Sequence, residues 1–553
     1  MSTEGDKVLK PEQVKPSLPA DHPEKDKDSP PTSQIASDAP LSPDVQKDAS
    51  ITGVATRHLP RHFSRAAVVQ PKWILYTSVL LGVTISMQYG WSTSQLNYAK
   101  FNNENQCNAI AAEKAHNLTW DHNKCTMFPG HTKGQWTVVV NAWVVGGMIG
   151  SLAVGKISDR VGRKRALMYN CGFIIAGAVI QAAVSNLWAF AFGRFLAGIA
   201  SGASTGCVGT YINEIAPPHL RSKLGIGLQG GINLGIVLVD TTHFYLGFNQ
   251  GWRIIAGFPI VLAALFLGLS HFIMVESPVW LMLHGHRKEG EQVLVQLYGE
   301  ENVNAALSWI KPKKKPADAE RQAPCWSEVG HQTVIKGKGL TWSELFAVEM
   351  RRPLVVGMGL ACMQKLTGIN SIFYYSSSLF GGVGVADGRV CNIIVAIVNL
   401  IPTLCSGMVS AKFGNRPMIL FSTIGMCVSS IGITLSLVYD APQATVALAA
   451  AFVFSFAICL GPIMFVVVAA VVPDHARGSV VSIGIFVAWS ANLVVGIGYP
   501  YLATALNHYK YVPFAVISAI STVFVYFLVP ETSNLTTSEI QEVFKKIRGN
   551  GRF

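Results

Sequence analysis

About twelve stretches of this chain are apolar over the ~20 residues a helix needs to cross a ~30 Å hydrocarbon layer. They begin near Trp73, Trp136, Leu167, Phe190, Gly225, Ile254, Leu354, Val390, Met418, Ala444, Val480 and Val512. A backbone amide in hydrocarbon finds no water, so each lone run must close its own hydrogen bonds as a helix. Composition agrees: 50% of the 553 residues are hydrophobic and 14% are charged, too little charge to cover a soluble body of that size. The reading is an all-α membrane protein of twelve transmembrane helices.

The polar punctuation between the runs repeats. Asp159-Arg160-Val161-Gly162-Arg163-Lys164-Arg165 separates two of them, and a worn copy, Ala411-Lys412-Phe413-Gly414-Asn415-Arg416, separates two others about 250 positions later. Arg221 and Arg477, and Glu276 and Glu531, keep nearly the same period at the ends of apolar runs. Two pseudo-symmetric six-helix bundles, 73–275 and 353–530, account for this period. The intervening 276–352 mixes Glu, Lys, Arg and Trp, as a cytosolic linker of short amphipathic helices would. Residues 1–65 are rich in Pro, Ser, Asp and Lys without apolar periodicity, which predicts a disordered cytosolic tail. Residues 531–553 form a second cytosolic tail. No apolar core lies near Met1, so the first membrane helix is expected to direct insertion itself.

A formal net charge of +12 would ordinarily suggest nucleic acid as a partner. Here the cations crowd the short loops between apolar runs, where membrane orientation explains them. Lys156 to Arg165, Arg221 with Lys223, and the basic segment 287–352 are placed on the cytosolic side, which puts both termini inside a multi-pass protein of the plasma membrane. The Asn117-Leu118-Thr119 sequon then falls outside, where Asn117 can carry a glycan. The sequon at Asn534 would stay cytosolic and unmodified. Most of the ten cysteines sit inside apolar runs as small packing residues. Cys107 and Cys125 share one polar loop and can pair if it is extracellular.

Further motifs follow in order. Gly146 to Ser151 leads to the Asp159 turn, Gly193-Arg194-Phe195 leads to Glu214 and Arg221, and Gly251-Trp252-Arg253 precedes Glu276-Ser277-Pro278. The second half carries Gln364-Lys365-Leu366-Thr367-Gly368-Ile369-Asn370, Phe373-Tyr374-Tyr375-Ser376 and Val529-Pro530-Glu531-Thr532. This series resembles the sugar porter family of the major facilitator superfamily, in its animal facilitative glucose transporter branch, from about Trp73 to Thr537. The resemblance implies the major facilitator fold and alternating access to a central site.

It also implies roles. Asp159, Arg163, Lys164, Glu214, Arg221 and Glu276, with Arg477 in the second half, would form inter-helix charge clusters that close the inner face. The second half is depleted, because Ala470 stands where Arg477 would have an acidic partner and Asn415 replaces an arginine. Gln229, Gln364, Asn370 and Asn399 match sugar-binding positions. Amides inside apolar spans are costly unless they face a wet cavity or a neighbouring helix, and a ring of hydroxyls needs groups that both donate and accept. Phe465, Trp489 and Asn492 belong to the same wall, and Tyr374 and Tyr375 suit an extracellular gate.

Departures concentrate in the second half. Lys365 replaces a usual glutamine, Ala457 a glutamate, Phe465 a tryptophan and Ala488 an asparagine. An ammonium in a membrane must meet water, an acid or an anionic ligand; a Lys365–Asp240 pair, a solvated Lys365 and an acidic substrate are the three alternatives. Proton-linked relatives carry an acid opposite the position of Arg194, where this chain has Ser92. That favours uniport, although Asp240 can substitute as a coupling group. The expected cargo is a hexose or similar polyol. No phosphate-binding loop, metal cluster or catalytic triad is evident, so neither an enzyme nor a cofactor is expected. The alternatives kept are a proton-coupled sugar or organic-acid symporter, a non-transporting nutrient sensor and a channel.

Overall fold

The computed structural model describes residues 69–98, 101, 107, 125–248, 250–310, 350–382, 387–472, 477–533, 535 and 539–544. All lie in one compact unit, 67–553. The described residues form helices and no strands. The first six spans are α1 (Trp73–Ser94), α2 (Lys133–Val161), α3 (Arg163–Ala183), α4 (Leu187–Ile215), α5 (Pro218–Tyr245) and the pair α6 (Gly251–Gly257) and α7 (Pro259–Ile273). Short helices α8 (Pro278–Leu283), α9 (Arg287–Tyr298) and α10 (Val303–Ile310) follow. The second six are the broken pair α11 (Arg351–Leu366) and α12 (Ile369–Gly382), then α13 (Gly388–Phe413), α14 (Asn415–Val438), the pair α15 (Pro442–Ser455) and α16 (Gly461–Val471), α17 (Arg477–Leu506) and α18 (Val512–Leu528). A five-residue π-helical stretch, Phe456–Leu460, joins α15 to α16.

Nine of the spans among the described residues are long and apolar enough to cross a membrane by that criterion alone, and α18 is a shorter apolar helix. The remaining two are α1, which carries buried Ser78, Ser86, Gln88 and Ser92, and the α11/α12 pair, which carries Gln364 and Lys365. Both thus carry polar groups among their apolar residues. Side chains such as Leu80, Phe192, Leu404, Val428 and Phe527 are exposed instead, as a surface bathed in acyl chains requires.

Several helices start earlier than hydropathy suggests: α5 begins at Pro218, not near Gly225, and α3 at Arg163, not near Leu167. Apolar patterning marks only the part of a helix inside hydrocarbon, and these helices continue into polar first turns. Small residues bring backbones together. A Cβ at Gly146 would fall 2.0 Å from Phe195 O, and one at Gly202 2.1 Å from Gly147 O, so α2 and α4 touch with no side chain between them.

The duplicated turns have a shared geometry. Gly162 and Gly414 sit at φ 97° and 92°, which favours glycine. Glu276 accepts the backbone N–H groups of Arg163 (2.8 Å) and Lys164 (3.1 Å), and Glu531 accepts those of Asn415 (2.9 Å) and Arg416 (3.1 Å). Each glutamate covers the amides at a helix N-terminus, where negative charge is favoured.

Short helices do follow Glu276, and they pack on the first six spans: Tyr298 Oη donates to Ile215 O (2.5 Å) and Lys72 N to Leu297 O (2.8 Å). The rest of the linker, 311–349, lies outside the described residues, as do both tails apart from 531–533, 535 and 539–544. Asn117 and Asn534 also lie outside them. Cys107 and Cys125 are joined by a disulfide.

Candidate functional site

Two amides, a cation and an aromatic wall meet in one cavity. Tyr89 from α1, Thr205 from α4, and Leu228, Gln229 and Ile232 from α5 line one side; Gln364 and Lys365 from α11, Phe465 from α16, and Ile485, Ala488 and Trp489 from α17 line the other. The non-atom space between them is about 380 Å³, open solvent included. Both sets of six spans contribute.

The amides are placed by hydrogen bonds on their outer sides. Gln364 Nε2 donates to Gly461 O (2.9 Å), the carbonyl just before Pro462 where the π-helical stretch ends. Its Oε1 has no hydrogen-bond partner among the described residues. Gln229 Nε2 donates to Asn233 Oδ1 (2.9 Å), one helical turn along α5. Asn233 Nδ2 in turn reaches Asn399 O (3.0 Å) and Thr403 Oγ1 (2.9 Å) on α13, crossing between the two sets of spans. Asn399 Oδ1 is buried and likewise unpartnered. Trp489 stacks on Tyr89 (centroids 5.2 Å apart, planes at 27°) and meets Trp143 edge-on (5.0 Å, 71°).

Asn370 and Asn492 bond to one another instead of lining this cavity. Asn370 Nδ2 donates to Asn492 Oδ1 (2.5 Å), and Asn492 Nδ2 donates to Tyr374 Oη (2.8 Å). Tyr375 Oη donates to Gly496 O (2.9 Å). This network ties α12 to α17 beyond the break at Thr367-Gly368. The break calls for glycine, because Gly368 has φ 92° and a Cβ there would lie 2.4 Å from the Phe514 ring.

The Lys365–Asp240 pair is not formed. Asp240 accepts from Ser94 Oγ (2.5 Å) and lies 3.8 Å from His243 Nδ1. The reason is axial distance: Asp240 is eleven residues beyond Gln229 on α5, about 16 Å along a helix rising 1.5 Å per residue. Arg194 is also fully buried without a carboxylate within ion-pair distance among the described residues. Its Nη1 donates to Ser92 O (2.8 Å) and Gln95 Oε1 (3.3 Å), and its Nε has no partner.

At the end of the molecule holding the duplicated turns, Arg163 Nη2 bridges Glu214 Oε1 (2.8 Å) and Asp159 Oδ1 (3.0 Å). Ser277 Oγ donates to Glu214 Oε2 (2.5 Å). Lys164 Nζ donates to Met274 O (2.7 Å) instead of to Glu276, and Arg221 Nε to Ala216 O (3.4 Å). These contacts join helices within the first six spans. The backbone of Arg477 opens α17, and its side chain is outside the described set.

A cluster at the opposite, disulfide-bearing end escaped sequence reasoning. Asn97, just past α1, donates to Ser376 Oγ (2.8 Å) and accepts from Ser377 N (3.1 Å), while Asn392 Nδ2 donates to Asn97 O (3.2 Å). Those bonds join the first set of spans to the second. Tyr89, Thr205 and Asn233 were also missed, and only Asn233 left a signal: an amide four residues after Gln229 shares its helix face.

The family model described as "Sugar (and other) transporter" matches residues 78–544. The chain is 29% identical over 488 residues to the human solute carrier family 2, facilitated glucose transporter member 4, covering 85% of this chain and 91% of that one. It is 30% identical over 422 residues to the putative metabolite transport protein YwtG of Bacillus subtilis, covering 75% and 88%. Among solved structures, the proton:xylose symporter XylE bound to 6-bromo-6-deoxy-D-glucose aligns with TM-score 0.69 at 21% identity over 85% of this chain and 99% of that one. Inward-open XylE from E. coli aligns with TM-score 0.66 at 22% identity, over the same shares. The twelve spans therefore adopt the major facilitator fold, and the chain belongs to the sugar (and other) transporter family.

Proposed function

We propose that this protein is a facilitative carrier that moves a hexose or similar polyol across the plasma membrane by alternating access. The observation that carries the reading is the single cavity to which both sets of spans contribute an amide, Gln229 from one and Gln364 from the other. Amides donate and accept at once, as sugar hydroxyls demand, and the Trp489 and Phe465 faces suit the weakly apolar side of a sugar ring. A carrier must also release its cargo, so affinity is modest; millimolar binding corresponds to about −4 kcal/mol.

The bundles 73–275 and 353–530 rock about this site with both termini cytosolic. The Asn97, Ser376 and Asn392 bonds close the outer end, with Tyr374 and Tyr375 behind them. The Arg163, Asp159 and Glu214 cluster latches the inner end, with Lys164, Arg221 and Glu276 around it, and Arg477 is assigned the corresponding role in the second half. Ser92 beside Arg194 leaves no acid there to exchange a proton, which supports uniport. A second reading, proton-coupled symport, is favoured by one observation: Asp240 and His243 are buried side by side against Ser94 of α1.

Uptake of labelled glucose by vesicles containing the purified full chain tests both. A uniporter equilibrates the sugar, shows exchange accelerated by sugar on the far side, and does not concentrate it when a proton gradient is imposed. Concentration driven by that gradient establishes the symport reading. Binding without net flux identifies a sensor, and flux without accelerated exchange a channel.

A further inference from the structure

Among the described residues lining the cavity, Lys365 alone carries a full charge. Its neighbours there are Gln364, Gln229 and Thr205, which are neutral, and apolar or aromatic groups such as Ile232, Phe465 and Trp489. No carboxylate among the described residues lies within ion-pair distance of its Nζ, and Asp240, the acid that sequence offered as a partner, is held by Ser94 at another level of α5. The backbone that carries the lysine is anchored beside it: Gln364 Nε2 donates to Gly461 O, and α11 ends one residue further on at Leu366.

An ammonium supplies three donors and no acceptor. Neutral hydroxyls can accept its hydrogen bonds but cannot offset its charge, and an unpaired charge at membrane depth is expensive. A ligand that brings a carboxylate relieves that cost at the moment of binding. We propose that the preferred cargo is an anionic polyol of monosaccharide size, of the hexuronate or aldonate class. Its carboxylate pairs with Lys365, its hydroxyls meet Gln229 and Gln364, and its apolar face lies on Trp489. The inference rests on the carrier reading above and narrows the substrate class of that same site.

The test uses the purified full chain in vesicles with the membrane potential clamped by valinomycin and potassium. Labelled D-glucuronate and D-gluconate are compared with D-glucose. The acids are expected to be taken up in preference and to accumulate with the field, because moving one charge through 100 mV changes the equilibrium ratio about 50-fold. Lys365→Gln should lower the ratio of acid to glucose uptake by about 30-fold or more, and Lys365→Arg should retain the preference. If glucose is carried while the acids neither enter nor compete, or if Lys365→Gln leaves the ratio unchanged, the inference is overturned and the carrier reading survives. If neither class crosses with correctly folded protein, the carrier reading fails and takes this inference with it.

Discussion

Gly147 on α2 faces Trp489 on α17, across the junction between the two sets of spans. A Cβ at position 147 would lie 2.5 Å from Trp489 Cε3 and Cζ3 and 2.6 Å from its Cη2. Ordinary contact begins at 3.4 Å, so in Gly147→Ala the indole must retreat by about 1 Å, and ring carbons cannot yield as a flexible chain end does. It has nowhere neutral to go, because Tyr89 is stacked on it and Trp143 meets it edge-on. Overpacking of this kind costs about 1–3 kcal/mol, and the clash exists only while α2 and α17 are apposed. The substitution should therefore shift the equilibrium away from this closed junction by roughly 5- to 150-fold. The shift is measurable as a longer distance between spin labels at Lys133 and Thr504, which bond across the same junction, and slower sugar exchange should accompany it. An unchanged distance distribution and an exchange rate within about twofold of the parent would refute the argument that this contact sets the balance.

Glu276→Gln and Glu531→Gln should each replace charge-assisted bonds to a helix N-terminus by neutral ones, losing about 1–2 kcal/mol. Protection of the backbone amides of Arg163 and Lys164 in the first variant, and of Asn415 and Arg416 in the second, reports the loss by hydrogen exchange. Glu214→Gln should weaken the first cluster, because the buried Arg163 guanidinium then keeps as carboxylate partner only Asp159, whose side chain is 70% exposed, beside the Ser158 carbonyl; a loss of about 2 kcal/mol or more in thermal unfolding is expected. Asp387 accepts from Arg389 N (3.0 Å) at the start of α13 and from its guanidinium (2.8 Å), and the Arg389 hydrogen bonds hold its carboxyl below the ordinary range. The sign follows from that lowering: the stabilisation is present above the ordinary carboxylate pKa near ~4 and fades as pH falls through the lowered value. Both side chains are about a third exposed, so Asp387→Asn should cost under ~1 kcal/mol at neutral pH, read from denaturation curves at pH 7 and 3.

Hydropathy alone made the spans legible, since lipid forces apolar runs into helices. It misjudged where α3 and α5 begin because their first turns are polar and lie beyond the apolar stretch. The amides Gln229 and Gln364 were legible for a related reason: a polar side chain within an apolar span has few places to go. Tyr89 and Thr205 gave no such sign, as both residue types are common in membrane helices that only pack. The Asn97 cluster was hidden for a third reason, since its partners stand far apart in the chain and their meeting depends on how the two sets of spans dock. The proposed Lys365–Asp240 pair failed on helix geometry. Both residues are polar and embedded, but eleven residues along α5 separate the level of Gln229 from that of Asp240.

The internal repeat kept one feature of its duplicated turns and let another go, and physical chemistry accounts for the division. Glu276 and Glu531 both accept consecutive backbone N–H groups. Every helix leaves such amides unsatisfied at its N-terminus, so the need for an acceptor persists whatever side chains follow, and a positive-φ glycine leaves room for it in each copy. The ionic part carries no such obligation. In the first copy a guanidinium at position 163 demands the carboxylate of Glu214, and losing either alone would strand the other. In the second copy Asn415 takes the guanidinium's place, held by Ser410 and by Thr532 (2.8 Å), and Ala470 stands where an acid would have no charge to answer. A neutral pair of short bonds satisfies the buried atoms there as an ion pair does, with less charge to desolvate when the cluster is buried. The two halves thus share a backbone solution and differ in the side-chain cluster built beside it, ionic in the first and neutral in the second.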